Sequence, residues 1–236
     1  GSEMCIRDSL SRVLMSVVDV AMVGRLGTEA LAATGMGSMM FWGALSLAIG
    51  IRTAVQTVTA RRLGQGLHKE SGMALRNGLA LATLYSLPTS FFVWKYSDSL
   101  ARFFIEDPFA TPLTTDYVSI VFTGLLFSSY SFVFQGFFTG IEKTKIHMKV
   151  TVVSNVLNVY LNAGFIYGSS GVQEFFNEQL SILSFLSYLW TWANFPALGV
   201  KGAAIGTLIS SFWMTAHYAV SLLSKQTSKR YSVLRF

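Results

Sequence analysis

The stretch LMSVVDVAMVGRLG, residues 14–27, is aliphatic on both sides of a single acid, Asp19. A carboxylate at that depth in a bilayer costs about 2.5–3.5 kcal/mol on insertion scales, and such groups face a bundle interior or a wet cavity. The solvent around this segment therefore decides the fold. Composition points to lipid: charged residues are 13% of the chain, where a soluble domain holds about 25%. Nineteen Phe and five Trp suit lipid-facing and interfacial positions. Cys5 is the only cysteine, which leaves no disulfide framework and no cysteine metal site to read.

Outward from Asp19, five further apolar runs are long enough to cross a membrane, near residues 33–60, 77–96, 117–139, 147–168 and 200–223. With 10–24 they predict six transmembrane helices. The class is all-α, because in lipid the backbone must satisfy its own hydrogen bonds. Residues 1–9, GSEMCIRDS, lack the shape of a signal peptide and are expected to be a non-native leader. Residues 10–224 then form one six-helix unit, and 225–236 a basic tail or linker.

The loops set the orientation. On the side of the C-terminus lie eleven cations: Arg61, Arg62, Lys69, Arg76, Lys143, Lys145, Lys149, Lys225, Lys229, Arg230 and Arg235. The other side holds four, Arg25, Lys95, Arg102 and Lys201, and most of the acids. This bias makes the basic side cytoplasmic. It also accounts for the net charge of +6 without nucleic acid, since the cations are spread over three short segments. The stretch 175–195 could be a seventh crossing, but its apolar part is short and Ser181, Ser184 and Ser187 recur every three residues. It is read as an outer interfacial helix over about 175–193, with Trp190 and Trp192 at headgroup level.

Three features carry chemistry. Asp19 is a proton or cation site, or else a structural carboxylate hydrogen-bonded between helices. Asn155, Asn158 and Asn162 follow i, i+3, i+7 spacing, which puts three carboxamides on one helical face. They can hold a cation or a protonated carboxyl group, or act as hydrogen-bond glue worth about 0.6 kcal/mol per contact. An intramembrane Asp in the same bundle favours the polar cavity. GFFTG (136–140), GFIYG (164–168) and GAAIG (202–206) match the small-residue pattern of close helix packing, and Thr207 follows the last of them. Arg52 lies well inside the second run, where it lines a cavity, pairs with an acid or snorkels. His68, His147 and His217 have no metal-ligand spacing.

Several of these stretches resemble the MATE (multidrug and toxic compound extrusion) transporters. VVDVAMVGRLGTEALAATG is similar to that family's first span and loop, and ARRLGQG to the inner end of its second span. FFTGIEKTKIHMKVTVVSNVLNVYLNAGFIYG resembles the link between spans 4 and 5, and LGVKGAAIGT the start of span 6. The resemblance covers roughly residues 13–223 and implies the N-terminal six-helix lobe of a twelve-helix antiporter with a central cavity. It implies export of organic cations, often drugs or toxins, in exchange for protons or sodium. By it Asp19 is the coupling carboxylate, with a possible sodium there, and Asn158 and Asn162 share its network. Asn155 and Thr207 support them. Asn162 stands where some members carry a second Asp. No enzyme activity and no cofactor beyond the coupling ion, proton or sodium, is expected. The expected partners are a small cationic substrate, the lipid bilayer, and a C-terminal lobe or second copy. The expected location is a bacterial inner membrane. Two other readings stand beside this one: a lipid-linked oligosaccharide flippase of the same superfamily, and a non-transporting membrane scaffold subunit. A flippase cavity would be richer in cations to hold pyrophosphate, and a scaffold leaves Asp19 without a task.

Overall fold

The computed structural model describes residues 17–179, 181–224 and 231, and these residues are helical and turn structure throughout. The leader at 1–9, residues 10–16 of the first expected span, and the tail apart from Tyr231 lie outside the described residues. The helices are α1 (17–24), α2 (Thr28–Gly64), α3 (His68–Phe104), α4 (Ala110–Thr123), α5 (Leu125–Gly140), α6 (Thr144–Gln179), α7 (Tyr188–Thr191) and α8 (Val200–Leu223). On length and composition α2 and α6 can cross a membrane, and α4 with α5 forms a third crossing if the bent pair counts as one. α3 and α8 contain the third and sixth expected spans.

Local chemistry explains where helices start and stop. Gly66, at φ +75°, ends α2: its N–H donates to Leu63 O (2.9 Å) and the Leu67 N–H to Arg62 O (2.9 Å). This is a Schellman turn, which uses the last carbonyls of the helix. Arg62 and Glu70 close it with a salt bridge of 2.8 Å. At the start of α4, Asp107 Oδ1 accepts the N–H groups of Phe109 (2.7 Å) and Ala110 (2.9 Å), a side-chain cap on the turn that leads into the helix.

One expected span is broken where the sequence suggested continuity. The run 117–139 is two helices, bent by 48° at a break beside Gly124. Hydroxyls take carbonyls near it: Ser90 donates to Phe122 O (2.7 Å) and Thr215 to Phe127 O (2.6 Å). α6 turns at Gly168 (φ +74°, ψ 167°), the end of the fifth expected span, and resumes to Gln179. The interfacial helix expected over 175–193 is not one helix. After α6 comes a 3-10 stretch, Ser181–Ser187, and then the single turn of α7. The three-residue recurrence of serines is the 3-10 period itself, and Ser187 Oγ donates to Ser184 O (2.6 Å).

The chain divides into two compact units. The first takes the described residues up to Met39, Val93–Val121 and Asn155–Ser210; the second takes Met40–Phe92, Phe122–Ser154 and the described residues from Ser211. In the second unit an apolar core gathers Leu75, Val133, Phe137, Phe138, Val150 and Tyr218, all fully buried. The GFFTG motif packs here: a Cβ on Gly136 would lie 2.5 Å from Arg52 O, and one on Gly140 would lie 2.8 Å from Thr59 Cβ. α5 therefore touches the α2 backbone, which needs glycine at both positions. A buried polar cluster closes this core. His147 Nδ1 meets the Tyr218 hydroxyl at 2.6 Å and Thr151 Oγ1 at 3.2 Å, while its Nε2 meets the Gln135 amide at 2.6 Å.

Two outcomes test these assignments. α5 ends in a second Schellman turn, with Lys143 N–H donating to Phe138 O (2.9 Å) and Glu142 at its left-handed position (φ +60°). Glu142→Gly removes the side-chain penalty there and is expected to stabilise the fold by about 1 kcal/mol, with Glu142→Ala giving no gain. Thermal unfolding in detergent reads both. In the same assay Tyr218→Phe, which removes the 2.6 Å contact at His147 Nδ1, is expected to destabilise by about 1 kcal/mol.

Candidate functional site

The first unit brings Asp19, Asn158 and Asn162 together. Asp19 is half-buried in the middle of α1. Asn158 and Asn162 are one turn apart on α6, with exposures of 8% and 2%. The Asn162 amide donates both ways, from Nδ2 to Asp19 Oδ1 at 3.0 Å and to Asn158 Oδ1 at 3.1 Å. A charge-assisted bond of this kind holds a carboxylate more firmly than a neutral pair would.

Close packing aims the amide. α8 lies against α6 at its two glycines. A Cβ on Gly202 would fall 2.1 Å from Phe165 O, and one on Gly206 would fall 2.1 Å from Asn162 Oδ1. The Asn162 oxygen is buried without a hydrogen-bond partner. An orphaned acceptor of this kind costs free energy.

Further side chains frame the site. Tyr117 of α4 is buried. Its hydroxyl meets Ser38 Oγ at 3.2 Å, and its ring fills the space left by Gly37, where a Cβ would come within 2.5 Å. The Tyr167 hydroxyl donates to Met22 O and so fastens α6 to α1. Lys201 and Asp116 pair at 3.2 Å between α8 and α4.

The supporting residues expected from the sequence sit differently. Thr207 keeps its hydroxyl on Ala203 O (2.9 Å), within its own helix. Asn155 is half-buried, one turn before Asn158. Trp190 is half-buried and its indole N–H donates to Tyr160 O (2.8 Å), while Trp192 is 80% exposed. Tyr117 and Ser38 had no signal in linear spacing, since they meet across 79 positions of sequence.

The arrangement offers one formal negative charge and several carbonyl-type oxygens, a donor set that suits a proton or a hard monovalent cation. With this geometry in view, comparison with known proteins places the chain. The MatE family model matches residues 5–163. The chain belongs to the MatE family. Among curated MatE relatives, the "Probable multidrug resistance protein NorM" of Rhizobium meliloti (strain 1021) is 26% identical over 199 residues, 84% of this chain and 38% of its own length. The protein of that name from Photorhabdus laumondii is 31% identical over 167 residues, 70% of this chain and 36% of its own. A solved multidrug resistance MATE family transporter of the MOP superfamily, in its outward-facing conformation, shares the fold with a TM-score of 0.75 at 23% identity. The match covers 92% of this chain and 42% of that one. The chain thus spans about two-fifths of the length of the relatives it matches. The chain is an integral membrane protein of the MatE family, whose members are transporters and not enzymes.

Gly206→Ala tests the packing. Its Cβ meets a side-chain oxygen, so the Asn162 amide is expected to turn away from Asp19 before the backbone moves. The expected loss is about 1–3 kcal/mol in thermal unfolding, with the fold retained by circular dichroism.

Proposed function

We propose that this chain is the N-terminal lobe of a secondary antiporter that exports organic cations, drugs or toxins, in exchange for a coupling cation carried at Asp19. The Asn162 amide, shared between Asp19 and Asn158, is the observation that carries the reading. Its N–H groups face the Asp19 and Asn158 oxygens, the orientation that a charged carboxylate favours. A proton on Asp19, or a sodium ion beside it, removes the reason for that orientation. Asn162 then serves best with its oxygen turned toward the ion, and Asn158 and Asp19 supply further oxygens. This turn changes what α6 presents to α1 and α8, so the ion favours one packing and the ion-free carboxylate another. Only such differential affinity can drive a conformational switch. Drug export draws on the NorM-named relatives. Transport itself needs a second lobe, from the same polypeptide or a second copy. The bacterial sources of those relatives and the basic loops favour an inner membrane with those loops in the cytoplasm.

The test uses the purified chain in detergent. Its thermal midpoint is followed against sodium at constant ionic strength, and separately against pH. A bound ion stabilises by mass action, about 2.7 kcal/mol at a hundredfold excess over its dissociation constant. The wild-type midpoint is expected to respond to one of the two ions and the Asp19→Asn variant to neither. An Asp19→Asn protein that matches the wild type in both titrations removes the role assigned to Asp19.

A further inference from the structure

The connection between Gly168 and Gly199 is long, and nothing in the ion site accounts for it. It is fastened to α6 along its length. The break at Gly168 takes the Ser169 N–H off the helix, and it donates instead to Phe195 O (3.1 Å). The carbonyls of Phe165 and Ile166 accept the N–H groups of Leu198 (2.8 Å) and Gly199 (3.2 Å). Ser169 Oγ donates to Trp190 O (2.6 Å) and accepts the Phe195 N–H (2.7 Å). Tyr160 and Trp190 then clasp each other: the indole N–H donates to Tyr160 O (2.8 Å), the Tyr160 hydroxyl donates to Leu189 O (2.7 Å), and the rings sit 5.1 Å apart. Phe195 fills the notch at Gly164, where a Cβ would lie 2.7 Å from its ring.

These contacts have a direction. Tyr160 and Gly164 are four apart and share one face of α6; Asn158 and Asn162 are four apart and share another. The two pairs are offset by two residues, about 200° around the helix. The segment therefore grips α6 on the face opposite its polar one, while Gly206 of α8 meets Asn162 directly. A helix held on both sides cannot rotate, and rotation is the motion that would carry the Asn162 amide away from Asp19.

We propose that residues 184–199 form a strap that sets the rotation of α6, and that Trp190 is a positioning residue for the Asp19–Asn162 bond. The inference rests on the reading of Asp19 and Asn162 as the ion site. Loss of the Trp190 clasp frees one wall of α6, and the amide no longer meets the carboxylate in one fixed geometry.

Infrared difference spectroscopy of the full chain in lipid nanodiscs tests this. The Asp19 carboxyl bands are identified by their loss in Asp19→Asn, and Asn162→Ala shows where they move without the amide. Trp190→Ala is expected to shift the bands to the Asn162→Ala position. Trp190→Phe keeps a ring against Tyr160 but loses the N–H, and is expected to shift them part-way; it carries the test should Trp190→Ala fail to fold. A merely structural strap would lower the thermal midpoint and leave the bands in place, and unmoved bands in both Trp190 variants overturn the proposal. Bands that move in Asn162→Ala but in neither Trp190 variant remove the strap and keep the site. Bands unmoved in Asn162→Ala remove the site reading with it.

Discussion

The approach of α8 to α6 governs the first unit. Two glycines one turn apart let the α8 backbone rest on Phe165 O and on the Asn162 side chain. In lipid, apolar burial gives helices little reason to associate, so close van der Waals contact and hydrogen bonds have to hold them. The glycines provide the first. The second follows because Asn162, confined on its α8 side, has one direction left for its two N–H groups, toward Asp19 and Asn158. The acid that would be expensive in hydrocarbon is thereby bonded, half-buried and held in place.

A second constraint acts on the backbone. Wherever a helix breaks inside an apolar environment, the carbonyls it releases need donors. At Gly124 the donor is a hydroxyl, that of Ser90 on Phe122 O. At Gly168 they are the backbone N–H groups of Leu198 and Gly199, on Phe165 O and Ile166 O. The first solution lets α4 and α5 form a bent pair with few extra residues. The second requires a long return segment, which explains physically why the connection from 169 to 198 packs on α6 as it does.

These breaks mark the limit of what the sequence made legible. Apolar length located the helices well: α8 coincides with the run 200–223, and α2 and α6 contain theirs. Helical spacing put Asn158 and Asn162 on one face, and lipid physics singled out Asp19. Neither Gly124 nor Gly168 differs in sequence from the many glycines that sit inside unbroken helices here, such as Gly43 and Gly50 of α2. What distinguishes them is where the released carbonyls find partners, which is tertiary information. The same holds for Tyr117, whose ring fills the space at Gly37, and for Trp190, whose indole bonds to Tyr160 O. The serine recurrence at 181–187 was visible, but a period of three admits an amphipathic α-helix or a 3-10 helix, and only the second matches it residue for residue.

The residue at 162 also bounds the charge of the site. A carboxylate there would lie about 3 Å from Asp19, and two acids that close cannot both stay ionised; they would share a proton or hold a more highly charged partner. The carboxamide avoids that conflict. It bonds to a single negative charge as a donor, and after a turn of the amide its oxygen can serve a bound ion. A site with one formal charge is neutralised by one monovalent cation, proton or sodium. The arrangement of Asp19, Asn158 and Asn162 therefore holds one formal negative charge, with the Asn162 amide bonded to it and to its neighbour one turn away.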